Sequence, residues 1–343
     1  MIVMKYRGLG RTGVQVSTLC LGCLGFGLWT EEAESMDMID HAIDSGINFL
    51  DTANMYGRGR SEEIVGKALK RNGKRSHIVL ATKVNSPMDD EDPNATGSSR
   101  RHIIDQCEQS LKRLQTDYID LYQVHRPRSD TPIDETLRAL DDLIRAGKVR
   151  YIGTSNFSAW QLVESLWVSK ELGLNRFVCE QPPYNMLDRR IERELVPMAL
   201  TYGMGLIPWA PLARGFLTGK YRRGEIFPGE GRLTEERERM IAPTRTRLHF
   251  TEQAFAVVDV VGAIAKEKEC TTSQVALAWC AQQPGIISPI IGPRTMEQLE
   301  DNLGAVSVHI TDVDKSRIDS GALPGRAIVP YLIADFRPQQ FRW

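Results

Sequence analysis

Short apolar runs, rich in β-branched or aromatic residues, recur along the chain at regular intervals. Within each run the apolar residues follow one another without polar alternation, which is typical of strands covered on both faces of a parallel sheet. The pattern predicts eight strands, at residues 16–22, 47–51, 77–84, 118–125, 149–156, 176–181, 203–211 and 285–292.

Stretches with helical periodicity lie between these runs. Residues 31–46 place apolar side chains at helical spacing and stop at a glycine, and residues 61–73 begin with a serine cap, Ser61. Further helices are predicted at 131–148, 158–173, 190–203, 252–268, 273–283 and 295–304. Strands followed by helices predict an α/β fold, most economically a (β/α)8 TIM barrel. We expect one barrel domain over residues 1–343, because a doubly wound sheet, the alternative, more often shows a boundary or a shift in composition.

Two segments depart from the repeat. Residues 5–17 contain two short strand patterns around a glycine-rich turn, which predicts an N-terminal β-hairpin that caps one end of the barrel. Gly8, Gly10 and Gly13 match G-x-G-x-x-G, but a strand-like stretch follows them, so a hairpin turn is favoured over a dinucleotide fingerprint. Residues 212–250 form a long loop after the seventh strand, and long loops in compact domains are usually functional or mobile.

Composition narrows the class of protein. The 343 residues are 42% hydrophobic and 25% charged with a net charge of −1, which is ordinary for a soluble globular protein and gives no footprint for nucleic acid. No apolar run approaches the roughly 18 residues of a membrane helix, and no signal peptide is evident. These features predict a cytoplasmic protein with neither nucleic-acid nor membrane partners.

The six cysteines are widely scattered, which favours reduced thiols over a disulfide framework. Cys20 and Cys23 have C-x-x-C spacing. A zinc site would need a second pair or histidines at ligand spacing, so we expect small residues at a strand end and no metal site.

Ionisable residues stand at three successive strand ends. Asp51 and Tyr56 follow the second predicted strand, Lys83 ends the third and His125 ends the fourth. Taken singly, each has an ordinary interpretation as a helix cap or a residue at the barrel rim. Because the carboxyl ends of barrel strands share one face, where active sites gather, the four together are hard to explain by packing.

The chemistry of these four residues is complementary. A free tyrosine titrates near pH 10, and a lysine ammonium beside it would favour the phenolate. The carboxylate of Asp51 would hold the lysine charged and in place, and a histidine could hydrogen-bond the substrate oxygen. The set predicts an acid that protonates a carbonyl oxygen as a hydride arrives at the carbon.

The stretches that carry these residues resemble the aldo-keto reductase family. They are GINFLDTANMYGRGRSEEIVGKAL, VLATKV, YIDLYQVHRP, LIRAGKVRYIGTSNF, EQPPYNMLDR, PWAPLARGFLTGKY and GPRTMEQLEDNL. The resemblance covers about residues 5–308, and the branch most resembled includes bacterial general reductases and potassium-channel β-subunits. It implies reversible, NADPH-dependent reduction of an aldehyde or ketone. Asp51, Tyr56, Lys83 and His125 match the family's catalytic tetrad, with Tyr56 as general acid and base.

The resemblance also implies a binding site for NADPH. The residues that match the contacts to the nicotinamide are Ser155, Asn156 and Gln181, which bind its carboxamide, and Trp209, which stacks on its ring. Those that match the pyrophosphate loop are Pro211, Leu212, Arg214 and Gly215, with Lys220 as a further phosphate contact. Those that match the adenosine end are Gly292, Arg294, Gln298, Asp301 and Asn302.

Arg294 bears on the choice of cofactor. It stands near a predicted helix N-terminus, where both the guanidinium and the helix dipole suit a 2′-phosphate. This favours NADPH over NADH, although an arginine there can also serve a pyrophosphate. Channel β-subunits usually have a serine at this position, which would alter the phosphate site without abolishing it.

The substrate pocket would be lined by Phe26, Trp29, Tyr56 and Asn85. The C-terminal aromatic residues are either a flap over the substrate or an edge packed on the barrel; they are Tyr331, Phe336, Phe341 and Trp343. An aromatic rim suits an apolar or ring-shaped carbonyl compound. A redox-sensing, β-subunit-like binding protein with slow turnover is the alternative function, and the complete tetrad favours catalysis over it. The sequence predicts no particular oligomeric state.

Overall fold

A computed structural model describes residues 3–224, 233 and 249–331 of the chain. The strands are β1 Tyr6–Gly8, β2 Gln15–Ser17, β3 Cys20–Gly22, β4 Phe49–Asp51, β5 Val79–Val84, β6 Ile119–Val124, β7 Val149–Ser155, β8 Cys179–Gln181, β9 Gly205–Leu206 and β10 Ile290–Ile291. The helices are α1 Glu32–Asp44, α2 Arg60–Asn72, α3 Arg100–Leu114, α4 Ile133–Arg145, α5 Ala159–Leu172, α6 Leu195–Tyr202, α7 Glu252–Glu267, α8 Thr272–Ala281, α9 Met296–Gly304 and α10 Asp312–Gly321.

Strands β3 to β10 form one parallel sheet in the order β10-β3-β4-β5-β6-β7-β8-β9. The two ends of this order also meet, because Leu206 of β9 forms a parallel bridge with Ile286, and the Ile287 amide donates to the Leu206 carbonyl at 2.8 Å. Helices follow the strands on the outside. The predicted (β/α)8 barrel is thereby confirmed.

Alternation along each strand divides the side chains between two cores. Phe49 of β4 belongs to the cluster inside the barrel, whereas its neighbour Leu50 belongs to the cluster between sheet and helices. The same alternation returns the next residue, Asp51, to the inside. It therefore carries a carboxylate to the carboxyl-terminal mouth of the barrel, above an apolar layer.

The N-terminal hairpin closes the opposite end. Strand β1 pairs antiparallel with β2, and Leu9 of the connecting turn is fully buried in the interior cluster. Gly10 has φ +58°, and a Cβ there would lie 2.4 Å from the Val178 carbonyl oxygen, so only glycine fits between turn and barrel. A strand, not a helix, follows the glycines. The predicted hairpin is confirmed.

Several predicted boundaries were wrong. The predicted strand 16–22 is divided, because its first residues pair within the hairpin and only Cys20–Gly22 joins the barrel. Ser61 does not cap α2. The helix begins at Arg60 after the left-handed Gly59, and the Ser61 hydroxyl donates to the Cys23 carbonyl at 2.7 Å.

Among the described residues, two helices were not predicted. One is α3, which begins after a cap in which Ser99 Oγ accepts from the His102 amide, and the other is α10, near the end of the described chain. A third helix was predicted with the wrong length. The predicted helix 190–203 is a short 3-10 turn, Arg190–Glu192, followed by α6. Of the predicted loop 212–250, Ala213–Thr218 forms a 3-10 turn, and residues 225–232 and 234–248 lie outside the described ranges.

Within residues 3–224, 233 and 249–331, no helix is both long and apolar enough to cross a bilayer. All six cysteines lie in these ranges as free thiols. The single-domain organisation over residues 1–343 stays a prediction.

Candidate active site

A layer of polar side chains lies at the carboxyl-terminal mouth of the barrel. Asp51, Lys83, Gln123 and Gln181 each come two residues after an apolar residue of the interior cluster, so each points inward above it. All four are almost completely buried. Buried polar groups need partners, and these four satisfy one another.

Lys83 is the centre of this layer. Its ammonium donates to Asp51 Oδ2 at 2.6 Å, to the Thr52 carbonyl at 2.8 Å and to Tyr56 Oη at 3.2 Å. An ammonium has three donors and no acceptor. All three protons are therefore committed, and the phenol oxygen of Tyr56 receives one of them.

Asp51 is held on its other oxygen by two amides. Gln123 Nε2 donates to Asp51 Oδ1 at 3.1 Å, and Gln181 Nε2 donates to the same oxygen at 2.9 Å. Gln123 was not among the site residues predicted from the sequence. The available signal was its position two residues before His125 in a buried strand, where period-two alternation places it inside the barrel.

The surroundings of Lys83 and His125 shift the pKa of each side chain. Burial alone would lower the pKa of Lys83, but the interaction with the Asp51 carboxylate, and after it that with the Tyr56 hydroxyl, outweighs burial and raises the pKa above its usual value. Burial lowers the pKa of His125 well below its usual value, and the positive charges of Lys83 and Arg126 lower it further. These shifts favour an ammonium at Lys83 and a neutral imidazole at His125.

His125 faces Tyr56 across the mouth of the barrel. Their rings meet edge to face, with centroids 5.8 Å apart. Tyr56 lies in the turn that follows β4, which brings it over Lys83. The structure therefore brings the four predicted catalytic residues together in one place.

The residues predicted to hold nicotinamide are joined to this group. Asn156 Nδ2 donates to the His125 carbonyl at 3.0 Å, and Trp209 Nε1 donates to Asn156 Oδ1 at 3.2 Å. Ser155 Oγ donates to the Gln181 carbonyl at 2.8 Å. Asn156 has φ +65°, a left-handed conformation that an asparagine tolerates better than most residues. The network fixes that conformation at the end of β7.

Glu180 supports the same segment from the outer face of β8. Its side chain is fully buried, and its Oε1 accepts from the Phe157 amide at 3.1 Å, directly after Asn156. Burial raises the pKa of Glu180 to about 8, against the opposing effect of the hydrogen bonds that its carboxylate accepts. Sequence reasoning missed this residue, because a glutamate in a short strand shows no sign of its burial.

Glu180→Gln should make stability less sensitive to pH. A carboxyl with a folded pKa of about 8 and an unfolded value near 4.3 favours folding when protonated, so its contribution is lost as pH rises between these values. We expect wild type to lose up to ~1.4 kcal/mol per pH unit relative to the variant in this window. Urea unfolding at pH 6 and pH 8 measures the difference.

The control for this experiment is Glu171→Gln, on the exposed surface of α5. It should leave the pH dependence of wild type unchanged. An identical pH dependence in wild type and Glu180→Gln would contradict the assignment of a protonated Glu180.

The segment after Trp209 has an unusual backbone. Ala210, Ala213 and Arg214 all have positive φ, and Gly215 follows with φ +88°. Successive amides in such conformations form concave anion sites. Pro211 and Leu212 lie between Ala210 and Ala213 in this segment, and a Cβ on Gly215 would lie 3.3 Å from Lys220 Cε. The predicted pyrophosphate loop thus gathers one arginine and one lysine.

The other predicted cofactor residues lie around the start of α9. Arg294 precedes Thr295, whose hydroxyl caps the helix, and the Arg294 amide donates to Gln298 Oε1 at 2.9 Å. Gly292 is exposed directly after β10, and Asn302 is buried in α9.

Asp301 is engaged with a neighbouring helix. Its Oδ1 accepts from Thr271 Oγ1 at 2.8 Å, at the cap of α8, and from Gln274 Nε2 at 3.1 Å. It therefore ties α9 to α8, and its predicted contact with adenosine stays a prediction.

The residues predicted to line the substrate pocket differ in their burial and in their contacts. Asn85 is buried directly after β5, and its Nδ2 has no hydrogen-bond partner among the described residues. Phe26 has no exposed surface and packs in the outer core, which argues against direct contact with a substrate. Trp29 lies against Arg294, with the guanidinium carbon 4.4 Å from the ring centroid.

Tyr331, at the end of the described chain, packs on the edge of the site. Its ring meets Trp209 edge to face at 5.9 Å, its hydroxyl is 2.7 Å from His249 Nε2, and Arg214 lies over it at 5.5 Å. This packing favours the aromatic-edge interpretation for Tyr331. The further aromatic residues Phe336, Phe341 and Trp343 lie outside the described residues.

Metal ligation and thiol chemistry are the two alternatives to proton transfer that the sequence raised. In the part of the chain that the structure describes, no group of three or more His, Cys, Asp or Glu side chains is arranged to hold a metal ion. The thiols of Cys20 and Cys23 are buried, and burial raises the pKa of both above their usual value. Burial and a raised pKa both disfavour the reactive thiolate form at this strand end.

Comparison with known proteins gives consistent results. The Aldo/keto reductase family model matches residues 18–322. An uncharacterised oxidoreductase of Bacillus subtilis (strain 168), YrpG, is 40% identical over 331 residues, which cover 94% of this chain and 97% of the relative. Versiconal hemiacetal acetate reductase of Aspergillus parasiticus is 36% identical over 350 residues, covering 95% of this chain and 99% of that protein.

A relative that is named as a channel subunit has a similar sequence identity. A probable voltage-gated potassium channel subunit beta of Arabidopsis thaliana is 39% identical over 310 residues, covering 89% of this chain and 92% of the relative. The matches extend over nearly the whole barrel, and they include proteins named as reductases and oxidoreductases. The chain belongs to the aldo/keto reductase family, and it is an oxidoreductase that acts on carbonyl groups.

Proposed function

We propose that this enzyme reduces an aldehyde or ketone to the alcohol, reversibly, with NADPH as hydride donor and Tyr56 as proton donor. The observation that carries the proposal is the buried Lys83 ammonium, which bridges the Asp51 carboxylate and the Tyr56 hydroxyl at 2.6 Å and 3.2 Å. The substrate is a small carbonyl compound, in line with membership of the aldo/keto reductase family.

The hydrogen-bond donors and acceptors around Tyr56 indicate that its hydroxyl supplies the proton. Lys83 can only donate, so the Tyr56 oxygen accepts from it and keeps its own proton for a carbonyl oxygen above. When that proton leaves, the ammonium stabilises the phenolate that remains. His125, held neutral, donates from its imidazole N–H to the same carbonyl oxygen and polarises it.

The cofactor site is supported by charge and by backbone shape. When bound, NADPH supplies the hydride to the carbonyl carbon. The left-handed turn around Arg214 and Gly215, with Lys220, suits the negative charge of a pyrophosphate. Trp209 presents an indole to stack on the nicotinamide, and Ser155, Asn156 and Gln181 orient its carboxamide. Arg294, beside the N-terminus of α9, serves the 2′-phosphate.

Arg294→Ala should weaken NADPH binding far more than NADH binding. A charge-assisted contact of a guanidinium with phosphate is worth ~1.5–3 kcal/mol, so we expect roughly a ten- to hundredfold rise in the Kd of NADPH. The Kd of NADH should change by less than about threefold. Titration of both cofactors by calorimetry measures the two values. Equal losses for both would contradict the role of Arg294.

A second candidate function is a redox-sensing, β-subunit-like protein with slow turnover, favoured by the identity shared with the channel subunit of Arabidopsis thaliana. A panel of aldehydes, ketones and sugars, assayed by decay of NADPH absorbance, separates the two. A reductase converts many substrate molecules per enzyme. A sensor gives one burst and retains its oxidised cofactor. Cytoplasmic localisation stays a prediction of the sequence.

A further inference from the structure

Trp29 contacts a residue of the proposed cofactor site. The guanidinium carbon of Arg294 lies 4.4 Å from the centroid of the Trp29 ring, inside the range of about 6 Å in which a cation is attracted to an aromatic face. Trp29 was expected to line the substrate pocket. The two residues come from opposite ends of the sequence, and the closure of the barrel between β3 and β10 brings them together.

The loop between β3 and α1 holds the backbone at Trp29 in a tight turn. The Gly25 carbonyl accepts from the amides of Leu28, Trp29 and Thr30, at 3.0, 2.9 and 3.2 Å. A Cβ on Gly25 would lie 3.4 Å from Trp29 Cε3, so the turn closes tightly on the ring. The backbone of Trp29 is therefore held within its own turn.

The backbone of Arg294 is held from two sides. Thr30 Oγ1 donates to the Arg294 carbonyl at 2.9 Å, and the Arg294 amide donates to Gln298 Oε1 at 2.9 Å. The long side chain still has several rotatable bonds, and fixing them costs conformational entropy when a ligand binds. Stacking on Trp29 restricts these bonds beforehand.

Stacking and phosphate binding use different parts of the guanidinium. A guanidinium above an aromatic ring can offer its planar face to the ring, whereas hydrogen bonds to a phosphate use the N–H groups at its edge. Both contacts can therefore be made at once, and an arginine ordered in advance binds its ligand with less loss of entropy.

We propose that Trp29 is a positioning residue that selects NADPH over NADH, by holding the guanidinium of Arg294 ready for the 2′-phosphate. The inference rests on the proposed role of Arg294, and it assigns to Trp29 a part in cofactor choice in place of substrate contact. A leucine at this position keeps an apolar side chain but removes the aromatic face. A phenylalanine keeps a smaller aromatic face.

The test measures the Kd of NADPH and of NADH for wild type, Trp29→Leu and Trp29→Phe, with 2′,5′-ADP and 5′-AMP as competing probes. Trp29→Leu should raise the Kd of NADPH and of 2′,5′-ADP by about three- to thirtyfold. The Kd of NADH and of 5′-AMP should stay within about twofold. Trp29→Phe should recover most of the lost affinity, which separates the aromatic contact from a general disturbance of the loop.

The same titrations in the Arg294→Ala background complete a double-mutant cycle. There Trp29→Leu should have no further effect on NADPH. An equal loss for NADPH and NADH, or an undiminished effect without Arg294, would overturn the positioning role of Trp29 while leaving the role of Arg294 intact. An Arg294→Ala variant that binds both cofactors as wild type does would overturn both.

Discussion

Tyr56→Phe should lower kcat for carbonyl reduction by about 10²- to 10⁴-fold, the range that a positioned general acid contributes. The substitution removes only the phenol oxygen, which in the structure accepts from Lys83 at 3.2 Å. The affinity for NADPH should stay within about twofold, because the proposed nicotinamide and phosphate contacts come from other parts of the chain. Steady-state rates and a cofactor titration on the same preparation measure both quantities.

The matched control for this substitution is Tyr202→Phe, which removes a phenol oxygen from a tyrosine that is 41% exposed on α6. It should leave kcat and NADPH affinity unchanged. If Tyr56→Phe keeps the kcat of wild type, the assignment of Tyr56 as proton donor is wrong.

Lys83→Met should cost both activity and stability. The change leaves the Asp51 carboxylate, which is 2% exposed, without its counter-charge. Breaking a buried ion pair in this way costs ~3–5 kcal/mol, because a desolvated charge remains. Gln123 and Gln181 still donate to Asp51 Oδ1, so the loss should stop short of unfolding. The free energy of unfolding from urea titration, with kcat on the folded protein, measures the two effects.

A second variant separates charge from packing. The double variant Lys83→Met with Asp51→Asn removes both charges, and it should regain a large part of the lost stability while remaining inactive. Lys148→Met breaks a half-exposed pair with Glu108 and should change stability little. Equal stability of Lys83→Met and wild type would contradict a strongly coupled Lys83–Asp51 pair.

Sequence patterns placed the candidate catalytic residues well, for a physical reason. A parallel barrel brings the carboxyl ends of its strands to one face, so Asp51, Lys83 and His125 were bound to meet once the strands were recognised. The loop position of Tyr56 followed from the short connection after β4. The general rule of the fold therefore supplied the tertiary proximity that a single sequence lacks.

Burial of polar residues was harder to predict. Gln123 and Glu180 interrupt apolar strands. Period-two alternation indicates the face of the strand that each side chain occupies, but sequence alone does not indicate what either side chain contacts. Gln123 points inward to Asp51, whereas Glu180 points outward to the Phe157 amide. The two contacts require the register of neighbouring strands, which the structure provides.

Long-range contacts between loops could not be predicted at all. Trp29 and Arg294 are far apart in sequence, and their stacking depends on the tight turn at Gly25 and on the closure of the barrel. The left-handed backbone at Ala213 and Arg214 is equally invisible, since neither residue type favours positive φ. Such conformations persist where the surrounding structure enforces them, often at functional sites.

The most direct measurement counts alcohol molecules formed per enzyme molecule, with NADPH and the best carbonyl substrate of the panel both in excess. A proton-donating tyrosine beside a charged lysine predicts continuous turnover, with one NADPH consumed for each alcohol, and its near-complete loss in Tyr56→Phe. If NADPH stays unoxidised with every carbonyl tested, or if product stops at one molecule per enzyme, NADPH-dependent carbonyl reduction is not the catalytic function of this protein.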